Sequence, residues 1–313
     1  MTTTPQDPLS RVVTLLKPTP SISKRVEAGG QWRVERHDLS SPFYCAIVEG
    51  VCFLEVAGHD PVKLVAGDFV LIPDLHSFAM YGEATPLPLA ADLPLETGPG
   101  VFRLGLTNAP VEVRALVGYC RFAAPGKDLL LSLLPEMIHV RGEDRLMALV
   151  PVIHDETRSD RLARTMILER LLEVMLIEAL RSHSGAALPP GLLRGLSHPQ
   201  LAEALRHIHA DATGKLSIAD LARCAGMSRS GFFEHFRNEV GKAPMDYAST
   251  WRMSVAKDLL LGGSLTNSEV ALRVGYGSAS AFGLAFMRHE GMSPGAFVKQ
   301  QRGSGHQSPT EQS

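Results

Sequence analysis

The sequence predicts an α+β chain of two domains: an N-terminal β-barrel or sandwich with helices behind it, and a C-terminal domain built of helices alone. Three observations carry this. Between Gln31 and about Val117, short apolar runs are cut by Gly, Pro and Asp, the pattern of strands joined by turns. Beyond Pro125 the apolar residues recur at helical spacing. Towards the C-terminus one helical pattern occurs twice, about fifty residues apart.

The strands are expected at Phe43–Val48, Val51–Val56, Val62–Val65, Phe69–Ile72 and Val111–Val117. Glu49-Gly50, Gly58-His59-Asp60-Pro61 and Gly67-Asp68 supply turns between them, and this meander-like spacing suits a sandwich or small barrel. Glu83–Gly100, rich in Pro and Gly, reads as a long loop or edge insertion. Helices are expected at Asp128–Leu134, Arg145–Asp155 and Ser159–Arg181. The last is apolar at Leu162, Met166, Leu168, Leu171, Leu172, Met175, Ile177 and Leu180. So broad a face packs against the β unit, pairs with its own copy in a homodimer, or does both. Ser182–Gly195 then reads as a linker. The expected division is residues 1–183 for the sensor and dimerisation domain, 184–196 for the linker, 197–302 for the helical domain and 303–313 for a disordered tail.

A length of 313 residues suits two domains, and 45% hydrophobic with 20% charged residues excludes extended disorder. The net charge of −2 argues against nucleic-acid binding for the chain as one body, yet from Leu201 to Arg302 basic residues outnumber acidic ones. Cys45, Cys52, Cys120 and Cys224 are too scattered for a disulfide framework or a zinc knuckle, and read as small buried hydrophobes. The first residues lack a basic stretch leading into an apolar run, and no segment has the length of a membrane span. Cytoplasmic residence with no membrane partner is therefore expected.

The duplication is the most informative feature. Leu216-Ser217-Ile218-Ala219-Asp220-Leu221-Ala222 is echoed by Leu265-Thr266-Asn267-Ser268-Glu269-Val270-Ala271. Each copy opens with a hydroxyl residue followed three positions on by an acid, the capping box that starts a helix. Each reaches a glycine, Gly226 or Gly275, able to end that helix in a left-handed turn. A second helix follows, with Phe232 and Phe236 matched by Phe282 and Phe286, and each unit closes on Gly-x-x-Pro at Gly241–Pro244 and Gly291–Pro294. Two short helices joined by a tight turn, the second with polar groups outward, make a helix-turn-helix, whose ligand is double-stranded DNA. Pro244–Leu261 joins the units as one helix with Tyr247, Trp251, Val255 and Leu259 on a stripe, ended by Gly262-Gly263. Pro199 starts a supporting helix with Leu201, Ala204, Leu205 and Ile208 apolar.

The run Gly275-Tyr276-x-Ser278-x-x-x-Phe282-x-x-x-Phe286-x-Arg288-x-x-Gly291-x-Ser293-Pro294-x-x-Phe297 resembles the C-terminal signature of the AraC/XylS family of transcriptional regulators. Ile47-Val48-Glu49-Gly50 and Leu64-Val65-Ala66-Gly67-Asp68-Phe69-Val70-Leu71-Ile72-Pro73 resemble the cupin-like sensor or dimerisation domain of many members. The resemblance implies two helix-turn-helix units in adjacent major-groove segments. The N-terminal domain is expected to bind a small-molecule effector of unknown identity, the other reading being a dimerisation platform with no ligand, and RNA polymerase is a possible partner.

The second helix of the first unit opens at Ser228 and presents Arg229, Ser230, Phe233, Glu234 and Arg237 outward. Arg229 and Arg237 suit phosphates, Ser230 either phosphate or base, Glu234 a cytosine amine and Phe233 a thymine methyl. The second unit presents Ser278, Ala279, Ser280, Gly283, Leu284 and Met287. Leu284 and Met287 stand where the family commonly carries basic residues, so this helix is expected to dock, with Ser278, Ser280 and Arg288 near DNA, rather than to read bases.

Cupin enzymes hold a metal through several histidines and a carboxylate, commonly with a His-x-His on one strand. Phe43–Val56 contains no histidine, and His37, His59 and His139 lack ligand spacing. His76, after Pro73-Asp74-Leu75, reads as a structural residue or an effector contact rather than a metal ligand. No metal, cofactor or catalytic residue is expected; the competing reading is a metal-dependent cupin oxygenase carrying an accessory DNA-binding domain.

Overall fold

The computed structural model describes residues 7–37, 41–83, 90–124, 127–183, 188–210 and 216–304. The chain divides into two compact units, and the division is not sequential. Lys17–Ala123 with Leu134–Ser184 form one; Met1–Leu16, Ala124–Leu133 and Gly185–Ser313 form the other. Elements are numbered along the chain, so α1 (Pro8–Leu16) and α2 (Lys127–Leu131) belong to the second unit although they precede or interrupt the first.

The first unit is a two-layer β structure. Its strands are β1 (Pro18–Gly29), β2 (Arg33–Arg36), β3 (Ser41–Glu49), β4 (Val51–Val56), β5 (Val62–Val65), β6 (Asp68–Leu75), β7 (Phe78–Gly82), β8 (Leu95–Gly98), β9 (Val101–Gly105), β10 (Val113–Phe122) and β11 (Ile138–Arg141). A seven-stranded sheet in the order β11-β6-β3-β10-β1-β9-β8 faces a four-stranded sheet in the order β2-β7-β4-β5. Alternate residues of the strands point into the core: Phe43, Cys45 and Ile47 from β3, Cys52 and Leu54 from β4, Val70 and Ile72 from β6, Phe78 and Met80 from β7. The remaining residues of β3, Tyr44 and Ala46, are buried as well. This strand reads as an unbroken apolar run because both of its faces are covered.

α3 (Asp144–Thr157) and α4 (Arg164–Ser182) pack against β1, and Ser23 Oγ lies 3.2 Å from His154 Nδ1 in that contact. The long helix expected from Ser159 starts five residues later, after Ala163 turns the chain at φ +64°. Its apolar face also divides. Leu168, Leu172, Met175, Leu176, Ala179 and Leu180 are buried, whereas Leu162, Met166, Ile167 and Val174 are exposed.

Five expected strands occur as β3, β4, β5, β6 and β10, with ends shifted by a few residues; the other six strands were not anticipated, the longest of them being β1. It carries Lys24, Arg25 and Glu27 between its apolar positions, which hides its register, yet it lies between β10 and β9. The stretch Glu83–Gly100 is not all loop: β8 pairs with β9 at the sheet edge, and residues 84–89 lie outside the described residues. Cys45, Cys52 and Cys120 are buried as expected, and Cys224 is exposed.

The second unit contains α1, α2, α5 (Leu192–Ser197), α6 (Pro199–Ala210), α7 (Ile218–Cys224), α8 (Arg229–Val240), α9 (Pro244–Gly262), α10 (Asn267–Arg273), α11 (Ala279–Glu290) and α12 (Pro294–Ser304). α5 occupies the C-terminal end of the expected linker, residues 192–196, and residues 184–187 lie outside the described residues. The expected tail likewise begins in α12, and residues 305–313 lie outside them. α1 buries Leu9, Val12, Val13 and Leu16 against α6 and α9, and α2 packs on α9. These contacts give the helical unit a sequence-distant cover that the linear division at residue 183 misses.

Candidate DNA-binding surface and ligand cavity

The two helix-turn-helix units are built on the same frame. Ser217 Oγ accepts the Asp220 amide at 3.2 Å and starts α7; Thr266 Oγ1 accepts the Glu269 amide at 3.3 Å and starts α10. In the second unit the capping box is complete, because the Glu269 carboxylate accepts the Thr266 amide at 2.7 Å. In the first, the Asp220 carboxylate instead takes the Ser217 hydroxyl at 2.5 Å. Both first helices end on a left-handed glycine, Gly226 at φ +65° and Gly275 at φ +83°. The next amides, of Met227 and Tyr276, return to the carbonyls of Ala222 and Ala271 at 2.9 and 2.8 Å, closing a Schellman turn that a residue with a Cβ strains.

The second helices are capped by Ser228, which accepts the Gly231 amide at 3.2 Å, and Ser278, which accepts the Ala281 amide at 3.1 Å. Phe232 and Phe236 face the core of the first unit, with ring centroids 5.5 Å apart, as Phe282 and Phe286 do in the second at 5.6 Å. Burying these rings fixes which side of each helix is outward. Glu239, near the end of α8, pairs with Arg194 Nε at 2.6 Å and His198 Nε2 at 2.9 Å, tying α8 to α5 and the start of α6. The Arg194 guanidinium holds the Glu239 carboxyl below the usual carboxylate range against the opposing effect of burial.

α9 joins the units. Its buried residues run from Tyr247 and Trp251, beside α6 and α8, to Met253, Ala256 and Leu260, packed with Val270, Phe282 and Phe286. The single expected stripe is therefore corrected: Val255 and Leu259 are only half-buried, because the two units lie against different sides of the helix. Lys257, fully buried, reaches Glu290 at the end of α11 at 3.0 Å. At 19 residues α9 is about 28 Å long, of the order of one turn of DNA.

The β unit holds a cavity of about 320 Å³ between its sheets, walled by the inner faces of β1, β9 and β10 on one side and β2 and β7 on the other. Its lining is mostly apolar, and Lys24 and Arg36 are the charged side chains among the described lining residues. Among the described residues no three His, Cys, Asp or Glu side chains gather as a metal site requires.

Residues 7–185 match the Cupin family, and residues 221–300 match a family described as a helix-turn-helix domain. An AraC-like transcription regulator of Streptomyces lividans is 34% identical over 94% of this chain and 98% of its own length. The chain belongs to this family of regulators. A second AraC-like transcription regulator, from Streptomyces antibioticus, is 33% identical over the same shares. The HTH-type transcriptional regulator AlkR of Acinetobacter baylyi is 32% identical over 55% of this chain and 58% of its own length. This regulator is accordingly a DNA-binding transcription factor, with a cupin-like β unit and a duplicated helix-turn-helix unit.

The structure brings the expected DNA-facing residues of the regulator onto the outer sides of α8 and α11. Ser228, Arg229, Ser230, Glu234 and Arg237 are exposed on α8 and Phe233 is half-buried; Ser278, Ser280 and Arg288 are exposed on α11, beside Leu284 and Met287. Arg229, Ser230 and Phe233 also line an open groove with Ser217, Ile218 and Ala219 at the start of α7. Sequence reasoning overlooked exposed Asn238, which occupies in α8 the place of Arg288 in α11; aligning the two copies on their phenylalanines reveals it. His76 lies exposed in the turn between β6 and β7 and is not among the described residues lining the cavity. Lys24 and Arg36 escaped the sequence analysis because the cavity is assembled from six strands, and no local motif marks its wall. Among the described residues no helix is long and apolar enough to cross a membrane.

Proposed function

We propose that this regulator recognises its operator as a homodimer in the cytoplasm, discriminates bases mainly through α8, and answers to a small molecule held in the β-unit cavity rather than at His76. The observation that carries the reading is the unequal chemistry of two helices of the same length in the same structural frame. α8 exposes two arginines, a glutamate and a serine capable of base or phosphate contact, whereas the corresponding positions of α11 hold Ala279, Ser280, Leu284 and Met287. α11 then contributes Arg288 and the N-terminal turn at Ser278 to backbone docking.

Dimerisation is supported by the exposed apolar residues of the α3–α4 pair, where Leu162 is 96% and Met166 65% accessible. Such a row costs solubility unless a partner covers it. A regulator bound beside a promoter also offers RNA polymerase a partner surface. The effector reading rests on the mostly apolar cavity between the two sheets, which has the size of a small-molecule site.

The test is selection of binding sites from random duplexes by the full chain. The expected result is one enriched site whose binding weakens steeply with salt, with its information content concentrated in the segment that α8 protects in footprinting. Information confined to the segment under α11 overturns the assignment.

A further inference from the structure

The cavity of the β unit is apolar along most of its wall, with Val26 from β1, Phe78 and Met80 from β7 and Val117 from β10. Two cations enter this wall. Lys24 comes from β1 and Arg36 from the end of β2, one from each sheet, and no carboxylate occurs among the described lining residues. Lys24 Nζ sits 4.4 Å from the centre of the Phe102 ring, which holds the ammonium at the wall rather than out in water. Arg36 Nη1 donates to the Glu35 carbonyl at 2.9 Å, which orients the guanidinium. Tyr119, also on the wall, brings a hydroxyl: burial pushes its pKa up to about 12, against the effect of Arg36, so it remains a donor.

The two cations feel each other. Burial first, and then Arg36, lower the Lys24 ammonium below its ordinary value, and Glu96 on β8 opposes them. Half-buried like charges on an apolar wall are costly when nothing lies between them, and an anion removes that cost. A carboxylate fits best, since a guanidinium offers it paired donors while an ammonium adds a point charge. A volume near the lower end of the small-molecule range sets the size of the remainder.

We propose that this cavity binds an organic monocarboxylate with a compact apolar body, its carboxylate held by Lys24 and Arg36 and its body lodged between the two sheets. The inference rests on the reading of the β unit as an effector domain and names the effector's chemical class.

Calorimetric titration of the full chain with octanoate, 1-octanol, octylamine and inorganic phosphate tests it. Octanoate is expected to bind roughly tenfold or more tightly than octanol, the worth of a hydrogen bond to a charged group, with no binding of octylamine or phosphate. Lys24→Met combined with Arg36→Met is expected to bring octanoate to the affinity of octanol while leaving octanol unchanged, which also reports an intact cavity. Val26→Trp is expected to abolish both. Equal binding of octanol and octanoate by the unaltered chain overturns the proposal in favour of a neutral ligand. Phosphate binding as tightly as octanoate, or octanoate binding indifferent to all three substitutions, overturns it in favour of a site elsewhere. The affinity for the selected duplex, measured with and without octanoate, separates this inference from the reading beneath it. Octanoate bound through Lys24 and Arg36 without any change in DNA affinity leaves the anion site standing and removes the effector role.

Discussion

At Glu234 and Ser280, equivalent exposure meets unequal chemistry. Both side chains lie on the outer side of a second helix, but a carboxylate accepts from a cytosine amine with a geometry a short hydroxyl on α11 cannot match. Glu234→Ala is expected to change the preferred base at one position, with discrimination lost on the order of 1 to 3 kcal/mol, and Ser280→Ala to leave the selected site unaltered. A site scrambled by Ser280→Ala and untouched by Glu234→Ala reverses the assignment. A second residue-scale effect concerns His209, fully buried, 2.8 Å from the Tyr247 hydroxyl and stacked 3.9 Å from Trp251. Burial first, and Arg11 second, push its pKa down to about 3, Asp7 opposing. The folded chain thus keeps this ring neutral where the unfolded chain protonates it, at about pH 6.5. Unfolding takes up a proton below that pH, so the stability this group confers is full above it. It falls as the pH drops towards the folded value, by up to about 1.4 kcal/mol per pH unit. His209→Gln, which keeps a partner for Tyr247 but does not titrate, is expected to flatten the urea midpoint between about pH 6.5 and 5. An unchanged slope counts against the linkage.

At the scale of elements, α1 has an amphipathic pattern short enough to pass for a leader to the β unit, yet it completes the helical unit. Leu9, Val12, Val13 and Leu16 are buried on it, and the Arg11 guanidinium lies 5.6 Å from the centre of the Trp251 ring. A fragment beginning at the linker therefore lacks part of its own core. Val12→Asp is expected to destabilise the helical unit by at least about 2 kcal/mol, through lost apolar burial and a charge with no partner. The two tryptophans make this directly measurable, because Trp32 lies in the β unit and Trp251 in the helical unit. In a Trp32→Phe background, Trp251 fluorescence is expected to unfold at lower urea when Val12→Asp is added; an unshifted Trp251 transition means that α1 is dispensable.

For the whole molecule, the decisive question is what covers the outer side of the α3–α4 pair. Val152, Leu162, Met166, Ile167 and Val174 are each exposed there, and a second copy presents the same row, as a two-fold interface requires. Leu162→Asp with Met166→Asp is expected to convert a dimer into a monomer in light scattering and to weaken binding to a two-half-site duplex far more than to a single half-site. A monomeric unaltered chain at micromolar concentration, with and without DNA, removes dimerisation from the proposal.

The helix-turn-helix units were legible because their signals are local. A capping hydroxyl, a left-handed glycine and phenylalanines four residues apart act within one or two helical turns, and they recur in the same order in both copies. The strands bounded by Gly50, Gly58 and Gly67 were legible for the same reason. β1 was not, because Lys24, Arg25 and Glu27 interrupt its apolar positions, and the strands that flank it, β9 and β10, lie far along the chain. Nor was the cavity: Lys24, Arg36 and Tyr119 lie on three strands and approach one another only when two sheets close. The membership of α1 in the helical unit has the same origin. Sequence patterning states which face of an element is apolar, and the partner that buries that face is chosen by long-range packing, which only the folded chain records.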